Sequence, residues 1–187
     1  DYSAFNEVWV AHFGDDGPAL SIIPCGERGL AVEDGLIEIN VLALASDGAT
    51  KKQIVEAGVF PGFRGQVQAV RAGDLLFLSG LMAIDENGLV ATAAIDSGQP
   101  HYQSSAAAQA ECIIENAEKL CAAAGTSLAN VVRVQQFHTD MGEFYPVHRA
   151  WQRHLGDWAL PFTAVEVPSP LPVPGCTLLM DLWVYVP

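Results

Sequence analysis

Few side chains in this sequence have both the chemistry and the setting to move protons or hold a substrate. Glu38 sits in the run Leu36-Ile37-Glu38-Ile39-Asn40. A carboxylate buried among such neighbours has a raised pKa and suits proton transfer, whereas on the open side of a strand it is an ordinary surface acid. His138, one residue before Thr139 at the end of a β-branched stretch, reads either as a general base or as a satisfied structural histidine. Asn6 and His148 stand near the starts of two helical patterns, where they either cap backbone groups or reach a ligand. Arg64 and Arg71 flank a strand; Arg64 is either an anion clamp or a solvated loop residue, and Asp140 has the place of a helix N-cap. Metal chemistry finds no pattern. His12, His101, His138, His148 and His154 make no HxH or HExxH spacing, and Cys25, Cys112, Cys121 and Cys176 lie far apart without a CxxC pair. Such cysteines point to a reducing, cytoplasmic setting, with Cys112 and Cys121 as small core residues of one helix.

The elements that must position these residues follow from periodicity. Between Gln103 and Ala124, the residues Ala110, Ile113, Ile114, Ala117, Leu120, Cys121 and Ala124 recur at steps of three and four, one apolar stripe of a helix. Ser104 and Ser105 are its capping candidates, and Gly125 supplies the left-handed stop. Residues 131–139 read as a strand, 142–155 as a second helix with Phe144, Val147, Trp151 and Leu155 on its buried side, and 162–168 and 178–186 as two further strands. Upstream, QVQAVRAG and DLLFLSG form a hairpin about Gly73, and LMAIDENG a short third strand. The order βββ-α-β-α-ββ predicts an α+β fold, one mixed sheet with two helices on one face.

The opening residues repeat part of this plan. A shift of 142 positions puts Tyr2 on Phe144, Phe5 on Val147, Trp9 on Trp151, His12 on His154 and Gly14 on Gly156. The run SII (21–23) then falls on TAV (163–165), and GLIEINVLAL (35–44) supplies the last strand by pattern. Residues 1–45 therefore read as the C-terminal half of a first module, 46–53 as a linker running into the second module's start, and 54–187 as a complete module. One helix and two strands bury too little apolar surface to offset the roughly 1–2 kcal/mol of backbone entropy each residue loses on folding. A second polypeptide completing this half module is expected.

The segments AVRAGDLLFLSG, NAEKLCAAAG, NVVRVQQFHTDMGEF and HRAWQRHLG, in this order, resemble the Rid family of reactive intermediate deaminases. These are also called YjgF-like or endoribonuclease L-PSP proteins, and the likeness runs from Thr50 to Pro187. It implies a chorismate-mutase-like fold, trimeric or pseudo-trimeric assembly, and clefts between subunits where small enamines or imines are hydrolysed to carbonyl compounds and ammonia. No metal or cofactor is implied. The family's carboxylate-gripping arginine falls on Phe162 here and on Leu20 in the first copy; its final-strand glutamate matches Glu38 and Leu179. The family's first-strand tyrosine falls on Gln66, the glutamine after Ser79-Gly80 is Leu81, and the helix asparagine matches Asn6 and His148. The resemblance thus implies Glu38 as the catalytic group, with Asn6, Gln66, Ser79, His148, Phe162 and Thr163 lining the substrate.

Composition narrows the class. The chain has 187 residues, half of them apolar and 17% charged, so a packed globular protein is expected. A net charge of -13 opposes binding to nucleic acid or to an anionic membrane surface. No run of about 18 apolar residues spans a bilayer, and no basic-then-apolar leader opens the sequence. The expected function is a divergent Rid-type deaminase or hydrolase of a small enamine or imine, such as an aminomuconate-like ring-cleavage product. The alternative is a non-catalytic structural or ligand-binding subunit of a pseudo-symmetric assembly.

Overall fold

The computed structural model describes residues 2–26, 30, 34–45, 47–63, 65–94, 98, 104–157 and 159–187. Arg64 and His101, both named above, lie outside the described residues. A six-stranded sheet runs β1 (Lys52–Val55), β2 (Ala69–Ala72), β3 (Leu75–Leu78), β8 (Leu178–Tyr185), β6 (Val131–His138), β7 (Phe162–Glu166). Every pairing is antiparallel except β6 with β7, which is parallel, as the intervening helix α3 (Phe144–Leu155) requires. The expected short third strand is a separate two-stranded hairpin, β4 (Ile84–Asp85) and β5 (Gly88–Leu89). β1 opens at Lys52, so the last two residues of the expected linker are already strand.

Helix α2 (Ser105–Ala123) begins at an N-cap, Ser104, whose Oγ accepts the Ala107 N–H at 3.1 Å. It stops at Gly125 with φ of 79°, a conformation a Cβ would strain. Its stripe of Ala110, Ile113, Ile114, Ala117, Leu120 and Cys121 is fully buried against Leu178, Met180, Leu182 and Val184 of β8 and against Val147, Ala150 and Trp151 of α3. Each buried Ile or Leu contributes roughly 1.5–3 kcal/mol. Gln109, also fully buried, joins α2 to the loop before β8. Its amide donates to Gly175 O and Thr177 Oγ1 and accepts the Thr177 N–H at 2.9 Å.

Residues 2–26 lie on the rest of the chain rather than beside a sheet of their own. Helix α1 (Tyr2–Phe13) buries none of its residues fully. Trp9 Nε1 donates to Gly65 O at 3.1 Å, and Tyr2 packs on Phe63 with ring centroids 5.3 Å apart. Gly65 has φ of 77°, and a Cβ there would come within 2.8 Å of Val10 Cγ2, so glycine admits the helix to this surface. The two strands expected at 21–23 and 35–44 form no ladder. A strand is made by a neighbour's N–H and C=O groups, and among the described residues neither segment is laddered to the open edges at β1 and β7. Leu36, Ile37, Ile39, Val41, Leu42 and Leu44 are left exposed, by 45% to 80%.

Candidate functional site

The residues named from the sequence gather at two places. At the first, the segment 17–22 crosses the end of the sheet. Ser79, buried between β3 and Gly80, donates from Oγ to Val67 O at 2.6 Å and accepts the Leu20 N–H at 3.0 Å. The Leu20 carbonyl is held twice, by the Gly80 N–H at 3.0 Å and by Gln66 Nε2 at 2.7 Å. Gln66 Oε1 in turn accepts the Phe63 N–H at 3.1 Å. Gly80 permits this approach, since a Cβ there would meet the Ser21 Cα and Leu179 Cδ2, each at 3.3 Å. Beyond it Ser21 Oγ donates to Asp181 Oδ2 at 2.6 Å, and Asp181 Oδ1 pairs with Arg133, whose guanidinium lies 4.3 Å over the Trp183 ring. Gln66 and Ser79 are therefore fully engaged with the chain's own backbone.

The second place is the outer edge of the sheet, under the start of α3. Asp140 accepts the Gly142 N–H at 2.7 Å and turns the chain through residues 141–143 into α3, which lays Phe144 and His148 over β6 and β7. The rings of Phe144, His148 and Phe162 form a triangle with centroids 5.6 to 5.9 Å apart, Phe144 and His148 stacked at 16°. Phe162 is 38% exposed and is the open side of the triangle. His138, four positions along β6 from the residue paired with Phe162, has its ring 6.1 Å from Phe144. Strand alternation puts Gln136 on the same face as His138, and both are buried, at 0% and 1% exposure. His138 Nε2 and Gln136 Oε1 are 3.3 Å apart. Gln136 Nε2, His138 Nδ1 and His148 Nδ1 are buried without a hydrogen-bond partner among the described residues. An unpaired buried polar atom costs about 1–3 kcal/mol, so each of these atoms calls for a water molecule or a polar ligand. Burial also pushes the His138 pKa below the usual histidine value, keeping its imidazole neutral.

The other named residues lie elsewhere. Glu38 is exposed, and its Oε1 accepts the Asn40 side-chain N–H at 3.0 Å. Asn6 is half-buried on α1, and Thr163 is exposed on β7 opposite Gln135. Arg71 reaches Gly73 O at 3.0 Å and Ala124 O at 3.3 Å, a bridge between loops. Gln136 escaped the sequence reading. The signal was there in the alternation Val134, Gln136, His138, which turns two polar residues toward the helices on a strand otherwise built for the core. The buried thiols offer no nucleophile, since burial pushes Cys121 up to about 12 and Cys176 up to about 11. Among the described residues no group of three His, Cys, Asp or Glu could hold a metal ion, and no helix is long and apolar enough to cross a membrane.

Comparison with known proteins puts this geometry in context. The pattern of the family described as Endoribonuclease L-PSP matches residues 63–178. RutC family protein y4sK of Sinorhizobium fredii is 34% identical over 97 residues, which cover 52% of this chain and 67% of that protein. RutC family protein PH0854 of Pyrococcus horikoshii is 31% identical over 100 residues, covering 54% and 71%. Among solved structures, RidA from an Antarctic Psychrobacter species superposes with a TM-score of 0.58 at 26% identity, over 72% of this chain and 99% of that one. Yeast Mmf1 shares the fold with a TM-score of 0.60 at 22% identity, over 73% and 100%.

Proposed function

The chain belongs to the endoribonuclease L-PSP family, the Rid or YjgF-like proteins, and from that premise we propose that it hydrolyses a small enamine or imine to a carbonyl compound and ammonia beneath Phe162. The observation that carries this reading is the partly exposed Phe162 ring in its aromatic triangle, with the buried polar groups of Gln136 and His138 farther along the same face of β6. The exposed side of Phe162 offers a planar C=N compound a ring to stack on. Phe162 stands where the resemblance implies an arginine, so stacking rather than a carboxylate clamp holds the substrate. The test is ammonia release, above the spontaneous rate, from imines formed in situ by an amine or amino-acid oxidase. Acceleration is expected, and Phe162→Ala should raise KM about 3- to 10-fold, the worth of one aromatic contact. No acceleration with any imine overturns the reading.

A second reading, a ligand-binding or structural subunit without catalysis, draws on the first cluster. There Gln66, Ser79 and Gly80 are occupied by Leu20, and Glu38 stands in solvent. For Glu38 to serve as the catalytic acid, the segment 35–44 must be carried to a cleft by assembly with another chain. The same assembly answers the exposed apolar face of that segment: its counterpart β8 lies between β3 and β6, so the fitting occupant is a second polypeptide supplying two such strands. Absence of ammonia release from the assembled protein supports the non-catalytic reading; where release occurs, Glu38→Gln decides whether the chemistry runs through Glu38. Unchanged ammonia release keeps the chemistry under Phe162, and its abolition gives Glu38 the catalytic role. An RNA-cleaving role, which the family's description names, is opposed by the charge of -13. Retention of RNA on a filter at moderate salt would reverse that judgement.

A further inference from the structure

We infer that the outer edge of β7 at Phe162 is a docking edge for a second copy of this chain, whose Gln66, Ser79 and Gly80 hold the Phe162 backbone as they hold Leu20 within one chain. The internal repeat carries the inference. The shift of 142 positions that pairs Trp9 with Trp151 also pairs Leu20 with Phe162 and Ser21 with Thr163. In the first repeat, helix α1 runs into a segment whose backbone is gripped at Leu20. The Leu20 N–H donates to Ser79 Oγ at 3.0 Å, and the Leu20 carbonyl accepts from the Gly80 N–H at 3.0 Å and from Gln66 Nε2 at 2.7 Å. In the second repeat, α3 runs into Phe162 in the same way, and the equivalent backbone groups lie on an open edge.

Strand geometry shows which groups these are. The Val134 N–H donates to Pro161 O at 2.9 Å and the Val167 N–H to His138 O at 2.8 Å, so residues 161, 163, 165 and 167 face β6. Phe162, Ala164 and Glu166 therefore turn their N–H and C=O groups to the other side. There β7 ends the sheet, and among the described residues no strand pairs with it. Such an edge is a template for another chain. Each copy of the chain also carries the complement: a buried hydroxyl, a glycine N–H and a side-chain amide, in a gap that the missing Cβ of Gly80 leaves open. The contact is head-to-tail, because the edge and its acceptor are different surfaces. Within one chain the acceptor is filled by a segment whose leading helix buries none of its residues fully, so that segment can give way. Phe162 then enters where Leu20 lay, and Thr163 Oγ1 takes the place of Ser21 Oγ against Asp181 of the second copy.

The experiment mixes two full-length chains and reads them by NMR. One, labelled with ¹⁵N, carries Leu20→Pro and Ser21→Asp. These remove the N–H given to Ser79 and set a second carboxylate against Asp181, which releases the acceptor. It also carries Phe162→Pro, which blocks its own edge. The other chain is the unlabelled wild type. Saturable shifts are expected at the Gln66 side-chain amide and at the Ser79 and Gly80 N–H groups, complete at one wild-type chain per labelled chain. They should vanish when the unlabelled chain carries Phe162→Pro. No shift at millimolar wild type overturns the inference. So do shifts that survive Phe162→Pro in the unlabelled chain, which mark its 17–22 segment as the occupant. Where the labelled chain still shows residues 17–22 seated, two single-substitution chains decide, Thr163→Cys in one and Asp181→Cys in the other, mixed in a thiol–disulfide buffer. A disulfide between positions 163 and 181 in excess over its statistical share, mapped by mass spectrometry, is expected, and its absence overturns the inference.

Discussion

At the scale of single residues, apolar side chains stand where the resemblance implies charged ones, Phe162 and Leu20 for an arginine and Leu179 for a glutamate. Phe162 and Leu20 take the arginine position, and each is used: Phe162 closes an aromatic triangle, while the Leu20 backbone is gripped by Ser79, Gly80 and Gln66. Ser79 is the key of that grip, because its one hydroxyl serves both Val67 O and the Leu20 N–H. Ser79→Ala should lower stability by about 1–3 kcal/mol, read from urea denaturation, since it strands both buried partners. The types of these residues were legible from the sequence, and their partners were not. Nothing in the order of residues says that Ser79 meets a backbone 59 positions away. Gln136 was overlooked for a related reason. Alternation marks it as inward-facing, yet only the position of His138 beside it makes that polarity a site.

At the scale of elements, periodicity was a faithful guide for α2, β6 and α3, whereas the start of β1 was read as linker although β1 pairs with β2. The α2 stripe, the β6 strand and the α3 face all follow their apolar spacing, because α2 and β6 bury theirs against β8 and α3 buries its own against α2. The same reasoning named strands at 21–23 and 35–44, and there the ladder is missing, since a period of two describes a strand's faces but not its neighbours. Two predictions belong here. Gly65→Ala brings a Cβ to 2.8 Å from Val10 at positive φ, so hydrogen exchange over α1 should quicken while the melting of the sheet changes little. The second concerns the α2–α3 contact, where His154 bonds Glu111 at 2.7 Å and Glu118 at 3.0 Å, and Arg153 also pairs with Glu111. Burial by itself would lower the His154 pKa, but its bonds to Glu111 and Glu118 win and raise it above 6.5. Burial would likewise raise Glu111, but His154 and Arg153 hold it below 4.5. The raised histidine stabilises fully below its unfolded value and loses that contribution as pH rises through its folded pKa. The depressed glutamate stabilises above its unfolded value and loses that contribution as pH falls through its folded pKa. The clamp is therefore strongest between about pH 4.5 and 6.5. The stability difference between wild type and His154→Gln should be larger near pH 5.5 than near pH 8.5 in paired urea titrations.

At the scale of the whole molecule, an acidic chain carries one long apolar segment in the open. Residues 36–44 expose six large aliphatic side chains in nine positions, a density that single soluble chains avoid. Replacing Ile39 and Val41 together by Lys should abolish association in sedimentation experiments without lowering the melting temperature of the remaining fold, because neither side chain packs on it. The claim on which the functional account turns is that small ligands settle under Phe162 and not at the Leu20 crossing. Titrating ¹⁵N,¹³C-labelled protein with butyramide, a stable planar compound with one donor and one acceptor edge, tests it most directly. The account predicts shifts concentrated at Gln136, His138, His148 and Phe162. Shifts gathered instead at Leu20, Gln66 and Ser79, or none at millimolar amide, would contradict it.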